Sequence, residues 1–369
     1  MKILHVINSL NTGGAERLLA DMLPLMRNAG HDVRLLLLQS NGVAPFESRV
    51  RDSGIEVNVA RTPGGLYSPL NVFRIVSDFK GYDVIHVHLF PAQYWAALAY
   101  WLSGCNSVLI TTEHNTFNTR AKYRLTTWTD RYIYGLYDGI ACISSATFEF
   151  MSKRVPRKVK LAVIENGIKL PDTSNGCKKI SRRGLVDGLT DNDFMVLQVA
   201  RFSEQKDQDC LIRALKHLPD DVHAVFAGAG DRLDQCIRLA ADTGVSARAH
   251  FLYQRTDVDR LWIAADLGVM SSHWEGFGLA ALEGMARMRP VIGSRVEGLA
   301  EMIDDTELLF TPGDDRDLAD KILALKCDNC LYLRKSETCR AKAQKYNIVN
   351  TVNNYLAFYK QLINDKRNG

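Results

Sequence analysis

The sequence predicts an α/β protein made of two doubly wound, Rossmann-like parallel-sheet domains. Three observations carry that expectation. Short apolar runs alternate with helical stretches from the first residues onward, a polar segment at 171–184 interrupts them, and the same alternation then restarts. At 369 residues the chain also exceeds the usual size of a single core, so two domains suit its length. Strands separated by helices pair in parallel, with helices covering both faces of the sheet.

The elements follow in order. "KILHVI" (2–7) is a short apolar strand, followed by the polar turn "NSLNTGGAE" and a periodic helix from Ala15 to Asn28. "DVRLLLL" (32–38), "IEVNVA" (55–60), "DVIHVH" (83–88) and "SVLITTEH" (107–114) continue the strands, with a helix over 91–102 among the connections. "GIACIS" (139–144) and "KLAVIENG" (160–167) complete the first set. "PDTSNGCKKISRRG" (171–184) reads as the joint between domains, and "DND" (191–193) as a continuation of it. The second set is "FMVLQVA" (194–200), "VHAVFAG" (222–228), "RAHFLY" (248–253), "LGVMSS" (267–272) and "RPVIGS" (289–294). A last helix is expected over about 346–365. The expected domains are therefore 1–172 with 346–369, and 173–345.

Composition narrows the function classes. Hydrophobic residues make up 46% and charged residues 24%, ordinary for a globular protein. No apolar run approaches the roughly 20 residues needed to span a bilayer. "MKILHVINSL" reads as a strand and not as a signal peptide, so a cytoplasmic protein is expected. Eight cysteines do not form a disulfide framework in such a chain. Cys327 and Cys330 form a CxxC with Cys339 beyond, but a structural zinc site wants four ligands, so free thiols are expected. No metal site is expected elsewhere.

Charge is unevenly placed. The net value is only +4, yet residues 117–169 hold ten Lys/Arg against four Asp/Glu. Such asymmetry points to an anionic partner surface. Within 117–137, Arg120, Lys122, Arg124 and Arg131 interleave with Tyr123, Leu125, Trp128, Tyr132 and Tyr134. A basic, aromatic helix of this kind suits an anionic membrane face, and "KRVPRKVK" (153–160) extends it. The plainer alternative is a domain helix with its aromatic rings packed inward. No nucleic-acid reader motif accompanies the charge, so no nucleic-acid partner is expected.

In open α/β sheets ligands bind beyond the carboxyl ends of strands, and with two such domains the cleft between them is the expected site. The chemistry-bearing residues fall at strand ends. Gly13 and Gly14 open the first helix, where the N-terminus favours an anion. His114 ends the strand over 107–114. Arg201 and Lys206 follow the strand over 194–200, a chelating and a point cation suited to a diphosphate.

"SHWEGFGLAALEGMA" (272–286) holds Glu275 and Glu283 eight positions apart. Good helix formers begin right after Gly278, so a helix is expected there. At about 1.5 Å rise per residue the acids are separated by up to about 12 Å. A hydrolase pair stands about 5–9.5 Å apart, so the two acids better fit different parts of one elongated ligand. The amides of Gly276, Phe277 and Gly278 would face that ligand.

Together, "GGAE", "ENG" (165–167), "ARFSEQK" and "EGFGLAALEGMA" resemble the retaining, GT-B-fold glycosyltransferases of family four, in the right order along nearly the whole chain. The resemblance implies that the last helix crosses back to the amino-terminal, acceptor-binding domain. It implies that Arg201 and Lys206 hold the diphosphate of a nucleotide sugar, UDP-linked before GDP-linked, and stabilise the departing nucleotide. Glu275 would read the sugar hydroxyls beside the amides of Phe277, Gly278 and Leu279, and Glu283 the ribose. Gly13, Gly14 and Asn166 would lie on the donor side, Gln254 and Arg255 would meet the base through backbone, and His114 would approach the reacting sugar. The family's usual account is front-face attack with the leaving phosphate accepting the acceptor's proton. No cofactor beyond the nucleotide sugar is implied, and Arg201 and Lys206 take a metal's role. The acceptor implied is a polyprenyl-diphosphate-linked saccharide at the inner face of the cytoplasmic membrane, for envelope polysaccharide synthesis.

Where the family commonly has glycine, this chain has Ala200, Asp207, Met288 and Glu297. Lys169 stands where the family often has Asp. Two other function classes remain open on this scaffold. A sugar-nucleotide epimerase would turn over donor without acceptor, and a non-catalytic sugar-nucleotide binder would not turn it over at all. A phosphorylase would need a pyridoxal-phosphate lysine site, and no motif marks one.

Overall fold

The computed structural model describes all residues except Thr12, Asn41, Val43, 115–123, 172–179 and Gly369; for 124–127 it describes the backbone alone. The chain divides into two units, Met1–Lys169 with Ile348–Gly369, and Leu170–Asn347. Each has its own sheet.

The first sheet has seven parallel strands: β1 (Lys2–Ile7), β2 (Asp32–Leu37), β3 (Glu56–Val59), β4 (Val84–His88), β5 (Val108–Glu113), β6 (Gly139–Cys142) and β7 (Lys160–Val163). Their order is β3-β2-β1-β4-β5-β6-β7. The central strands are buried on both sides, which is why they read as continuous apolar runs and do not alternate. The helix Gly14–Asn28 turns Leu18, Leu19, Met22, Leu23 and Met26 inward at helical spacing. The last helix, Ile348–Asn368, packs in this first unit as expected, with Val352, Tyr355, Tyr359 and Leu362 in the same core as β1, β2 and the first helix. Lys366 anchors its end, reaching the Asp138 carboxylate at 2.8 Å and the Ser107 carbonyl at 2.9 Å.

The second sheet has six parallel strands: β8 (Phe194–Val199), β9 (Val222–Ala227), β10 (Ala249–Phe251), β11 (Leu267–Met270), β12 (Val291–Ser294) and β13 (Leu309–Phe310). The order β10-β9-β8-β11-β12-β13 reverses direction between β8 and β11. That reversal is the switch point at which doubly wound sheets open a crevice. Strand β13, only two residues long, gave no sequence signal.

One expectation is corrected. The joint over 171–184 and its continuation to "DND" do not run on as a linker: Leu185, Val186 and Leu189 belong to the second unit's core, and Arg182 is 1% exposed. The Arg182 guanidinium is accommodated because each of its three nitrogens finds an acceptor. Nε donates to the Ala264 carbonyl at 3.0 Å, and the two terminal nitrogens bond the Asp193 carbonyl and the Asp266 carboxylate. Asp266 also accepts from the Met195 amide at 2.8 Å, tying this segment to the start of β8. A buried charge persists only when so paired. Residues 172–179 of the expected joint lie outside the described residues.

No described helix is long and apolar enough to cross a membrane.

Candidate functional site

The second unit's site grows out of the loop after β8. Phe202 is buried against Phe226 and Phe251, with ring centroids 6.2 and 6.1 Å away, and this pins the backbone on either side. Arg201, just before it, points outward with its side chain 71% exposed and an ion pair to Asp231 at 3.6 Å. The chain then makes one 3-10 turn over Glu204–Lys206 and enters the left-handed region at Asp207, φ 42°.

Buried polar groups fix that turn. Gln198, on β8, donates to the Lys206 carbonyl and to the Ser271 hydroxyl, both at 3.0 Å. The Ser271 hydroxyl in turn lies 2.7 Å from the Asp207 carbonyl. Sequence reading did not single out Gln198 or Ser271 for this role. The available signal was a lone amide inside the apolar run "FMVLQVA". The Asp207 carboxylate caps the next helix, Gln208–Ala214, through the Cys210 amide at 3.3 Å. Burial pushes its carboxyl up, opposed by the nearby His273 imidazole at 3.5 Å.

The loop after β11 faces this turn. The His273 amide donates to the Gln205 carbonyl at 2.8 Å, and the Gln205 side chain returns a bond to the Trp274 carbonyl at 2.9 Å. Lys206 Nζ reaches the Glu275 carboxylate in a close ion pair, and the Ser272 hydroxyl donates to the same oxygen at 3.3 Å. The helix begins at Leu279 as expected, with Gly278 before it at φ 88°. Phe277 is buried edge-on against Tyr346, centroids 5.5 Å apart. Gly298 lets the loop after β12 close on this segment: a Cβ there would come within 2.5 Å of the Glu275 carbonyl. Glu283 lies within the helix Leu279–Ala286 and is buried.

Arg201, Lys206 and Glu275 therefore sit at the carboxyl ends of two adjacent strands, β8 and β11, at the switch point, with Lys206 and Glu275 in contact. Such a place can bind an anion flanked by polar groups. Gln254 and Arg255 stand in the loop after β10, two strands away from β8. The Arg255 guanidinium is taken up by a bidentate pair with Asp257, both bonds 2.7 Å.

In the first unit, Gly13 caps the helix beginning at Gly14, and the Glu16 carboxylate folds back over that end. Burial raises the Glu16 carboxyl. His114 follows β5; its Nε2 is buried without a hydrogen-bond partner, and burial lowers the imidazole to about 4. It is neutral at pH 7. Asn166 is buried with Oδ1 unpartnered. Behind His114 lie His5, His86 and His88, whose nitrogens fall within 4.8 Å of one another. Those nitrogens largely have partners already: His5 Nδ1 and His88 Nε2 are 3.1 Å apart, and His86 bonds Tyr359 at 2.6 Å and Thr112 at 2.8 Å. His5 Nε2 and His88 Nδ1 have no hydrogen-bond partner, and burial lowers all three imidazoles, so the array is neutral.

Of the basic, aromatic segment, Arg120 and Lys122 lie outside the described residues, and only the backbone of Arg124 is described, at the start of the helix Arg124–Tyr134. Trp128 and Tyr132 are 80% and 61% exposed and Arg131 is exposed, against the inward-packed alternative; Tyr134 is buried. Cys327 and Cys330 are exposed free thiols and Cys339 a buried one.

Residues 12–171 match the family described as Glycosyltransferase Family 4, and residues 186–346 the family described as Glycosyl transferases group 1. The Escherichia coli UDP-Gal:alpha-D-GlcNAc-diphosphoundecaprenol alpha-1,3-galactosyltransferase is 23% identical over 99% of this chain and 98% of its own. The Bacillus anthracis N-acetyl-alpha-D-glucosaminyl L-malate synthase is 28% identical, but over 49% of each chain. The chain likewise spans about half the length of several other curated relatives, 42% of a Rhizobium meliloti lipopolysaccharide core glycosyltransferase among them. In fold, the chain matches Anabaena HepE, solved with UDP and glucose, at a TM-score of 0.84 and 23% identity over 98% of this chain and 99% of that one. It also matches Thermosynechococcus elongatus sucrose-phosphate synthase at a TM-score of 0.78 and 19% identity, covering 99% and 100% of the two chains.

Proposed function

The chain belongs to the GT-B glycosyltransferases of family-four type, and on that premise we propose that it moves a hexosyl or N-acetylhexosaminyl group, with retention, from a UDP-sugar to a polyprenyl-diphosphate-linked saccharide. The observation that carries this reading is the Lys206–Glu275 pair beside Arg201 at the switch point of the second sheet. Breaking the sugar–phosphate bond leaves negative charge on the diphosphate and cationic character on the sugar. Lys206 is a cation already held in place for the first, exposed Arg201 is a second that closes on the diphosphate, and together they make a metal unnecessary in that role. Glu275, released from Lys206 by the incoming diphosphate, turns to the sugar hydroxyls. Glu283 takes the ribose, the amides of Gly276 to Leu279 face the donor, and the loop holding Gln254 and Arg255 takes the base. In the first unit, neutral His114 serves the reacting sugar, with Gly13, Gly14 and Asn166 on the donor side. The acceptor hydroxyl attacks the face that the diphosphate leaves, and its proton goes to the departing phosphate oxygen.

Support for a lipid-linked acceptor comes from the E. coli relative, whose named substrate is a diphosphoundecaprenol-linked sugar. Exposed Trp128, Tyr132 and Arg131 favour seating on the inner, anionic face of the cytoplasmic membrane. Vesicles carrying anionic lipid should sediment the protein at low salt and release it at high salt; no sedimentation at low salt rejects that seating. The activity itself is tested by following UDP-sugar turnover with and without a lipid-linked saccharide. Acceptor-dependent UDP release, unaffected by a chelator, is expected. Isomerised donor without acceptor would instead make the protein an epimerase, and binding without turnover a sugar-nucleotide binder.

A further inference from the structure

Tyr253 occupies a conformation that its residue type does not choose. It follows β10 at φ 54°, in the left-handed region that disfavours bulky side chains. Its backbone is held there by neighbours. The Gly228 amide donates to the Tyr253 carbonyl at 2.7 Å, and the preceding Leu252 amide donates to the Phe226 carbonyl at 2.9 Å. Gly228 in turn abuts the Ala200 carbonyl so closely that a Cβ would lie 1.9 Å from it. The strand-end loops of β10, β9 and β8 are thus pressed into one layer, and that layer sets the turn at Tyr253.

The side chain contributes nothing to holding this arrangement. The residue is 58% exposed, and among the described residues its ring is in no aromatic pair and its hydroxyl in no hydrogen bond. A glycine would adopt the same φ without strain. A strained backbone that presents an idle aromatic face points to a use for that face outside the protein's own packing.

Its place on the sheet says which use. Strands lie about 4.8 Å apart, so the end of β10 is about 10 Å from the end of β8 and about 14 Å from that of β11. Arg201, Lys206 and Glu275 stand at those two further ends. A nucleoside diphosphate laid across the edge, its diphosphate on the cations, carries its base to β10. We propose that the Tyr253 ring is the stacking platform for the nucleobase of the donor, an inference that rests on the nucleotide-sugar reading above. The neighbouring Arg255, held by Asp257, fixes the loop and leaves the face open. Stacking reads a π-face and not a hydrogen-bond pattern, so the platform supplies affinity for any nucleobase and leaves the choice of base to other groups.

Calorimetric titration with UDP, and separately with pyrophosphate, tests this on wild type and on Tyr253→Phe, Tyr253→Ala and Tyr253→Gly. Tyr253→Phe should bind UDP within about twofold of wild type. The Ala and Gly variants should bind it about tenfold more weakly. Pyrophosphate, which has no base, should bind all four proteins alike, and Tyr253→Gly should melt no lower than wild type because it relieves the left-handed turn. UDP affinity unchanged in both small variants overturns the inference alone. A parallel loss of pyrophosphate binding also overturns it, because Tyr253 would then act through loop shape. Absence of nucleoside diphosphate binding to the wild-type protein overturns both the inference and the reading beneath it.

Discussion

At the scale of single residues, two of the positions where glycine is common in the resembled family carry a side chain in a conformation that glycine favours. Asp207 and Met288 both adopt positive φ, 42° and 60°. A left-handed side-chain-bearing residue costs about 1–2 kcal/mol. Asp207 recovers part of that by capping the following helix, and the Met288 sulfur accepts from the Arg340 guanidinium at 3.6 Å. A β-branched side chain fits this conformation worst, so Met288→Val should lower unfolding free energy by roughly 1–2 kcal/mol in urea titrations. Met288→Gly should not lower it. The charged residues follow different logic. Replacing Lys206 or Arg201 by Ala should cut turnover about 10²-fold or more, the scale for losing one preorganised donor to a developing anion. Wild-type turnover in both would mean the diphosphate is held elsewhere. That Arg201 and Lys206 follow a strand and that Glu275 precedes a helix was legible in the sequence, because the apolar run of β8 and the helix formers after Gly278 mark those places. Gln198 and Ser271, which orient Lys206, were not, since their role depends on which strands lie side by side.

At the scale of elements, β1, β4 and the last helix share a buried polar seam. His5, His86 and His88 are fully enclosed, and His86 bonds Tyr359 of the helix. The "HVH" spacing put both β4 histidines on one face by strand alternation, and the register sets His5 opposite His86. What could not be read from sequence is that a helix some 270 residues later supplies the hydroxyl. Removing that hydroxyl in Tyr359→Phe leaves an imidazole nitrogen unpaired in the core and should cost about 1–3 kcal/mol in chemical denaturation. Burial lowers His5 to about 3 and holds His86 and His88 well below the ordinary imidazole range. These groups are neutral when folded and take up protons on unfolding below pH 6.5. The stability they permit is therefore complete above about 6.5 and declines as pH falls, by up to about 1.4 kcal/mol per pH unit for each. Denaturation midpoints at pH 7.5 and 5.5 measure the decline; equal midpoints would contradict it.

At the scale of the whole molecule, the two-sheet plan was legible because parallel strands buried on both faces leave dense apolar runs with helices between. The strand series emerged nearly complete, and only β13, too short to leave a pattern, escaped. The polar stretch read as a joint misled because Arg182 looks like a surface residue until its acceptors are known. If the molecule binds a UDP-sugar, saturating donor should raise its melting temperature, with about 2.7 kcal/mol of added stability at a hundred times the dissociation constant. A panel of sugar nucleotides in a thermal-shift assay would then rank the sugars. The contact between Lys206 and Glu275 has a consequence for how a catalytic cycle ends. Once the sugar has gone, spent UDP no longer offers Glu275 the hydroxyls of the transferred sugar, so the acid can reclaim its lysine and help eject the product. Product inhibition by UDP should consequently tighten in Glu275→Gln, whose neutral amide competes poorly for that cation.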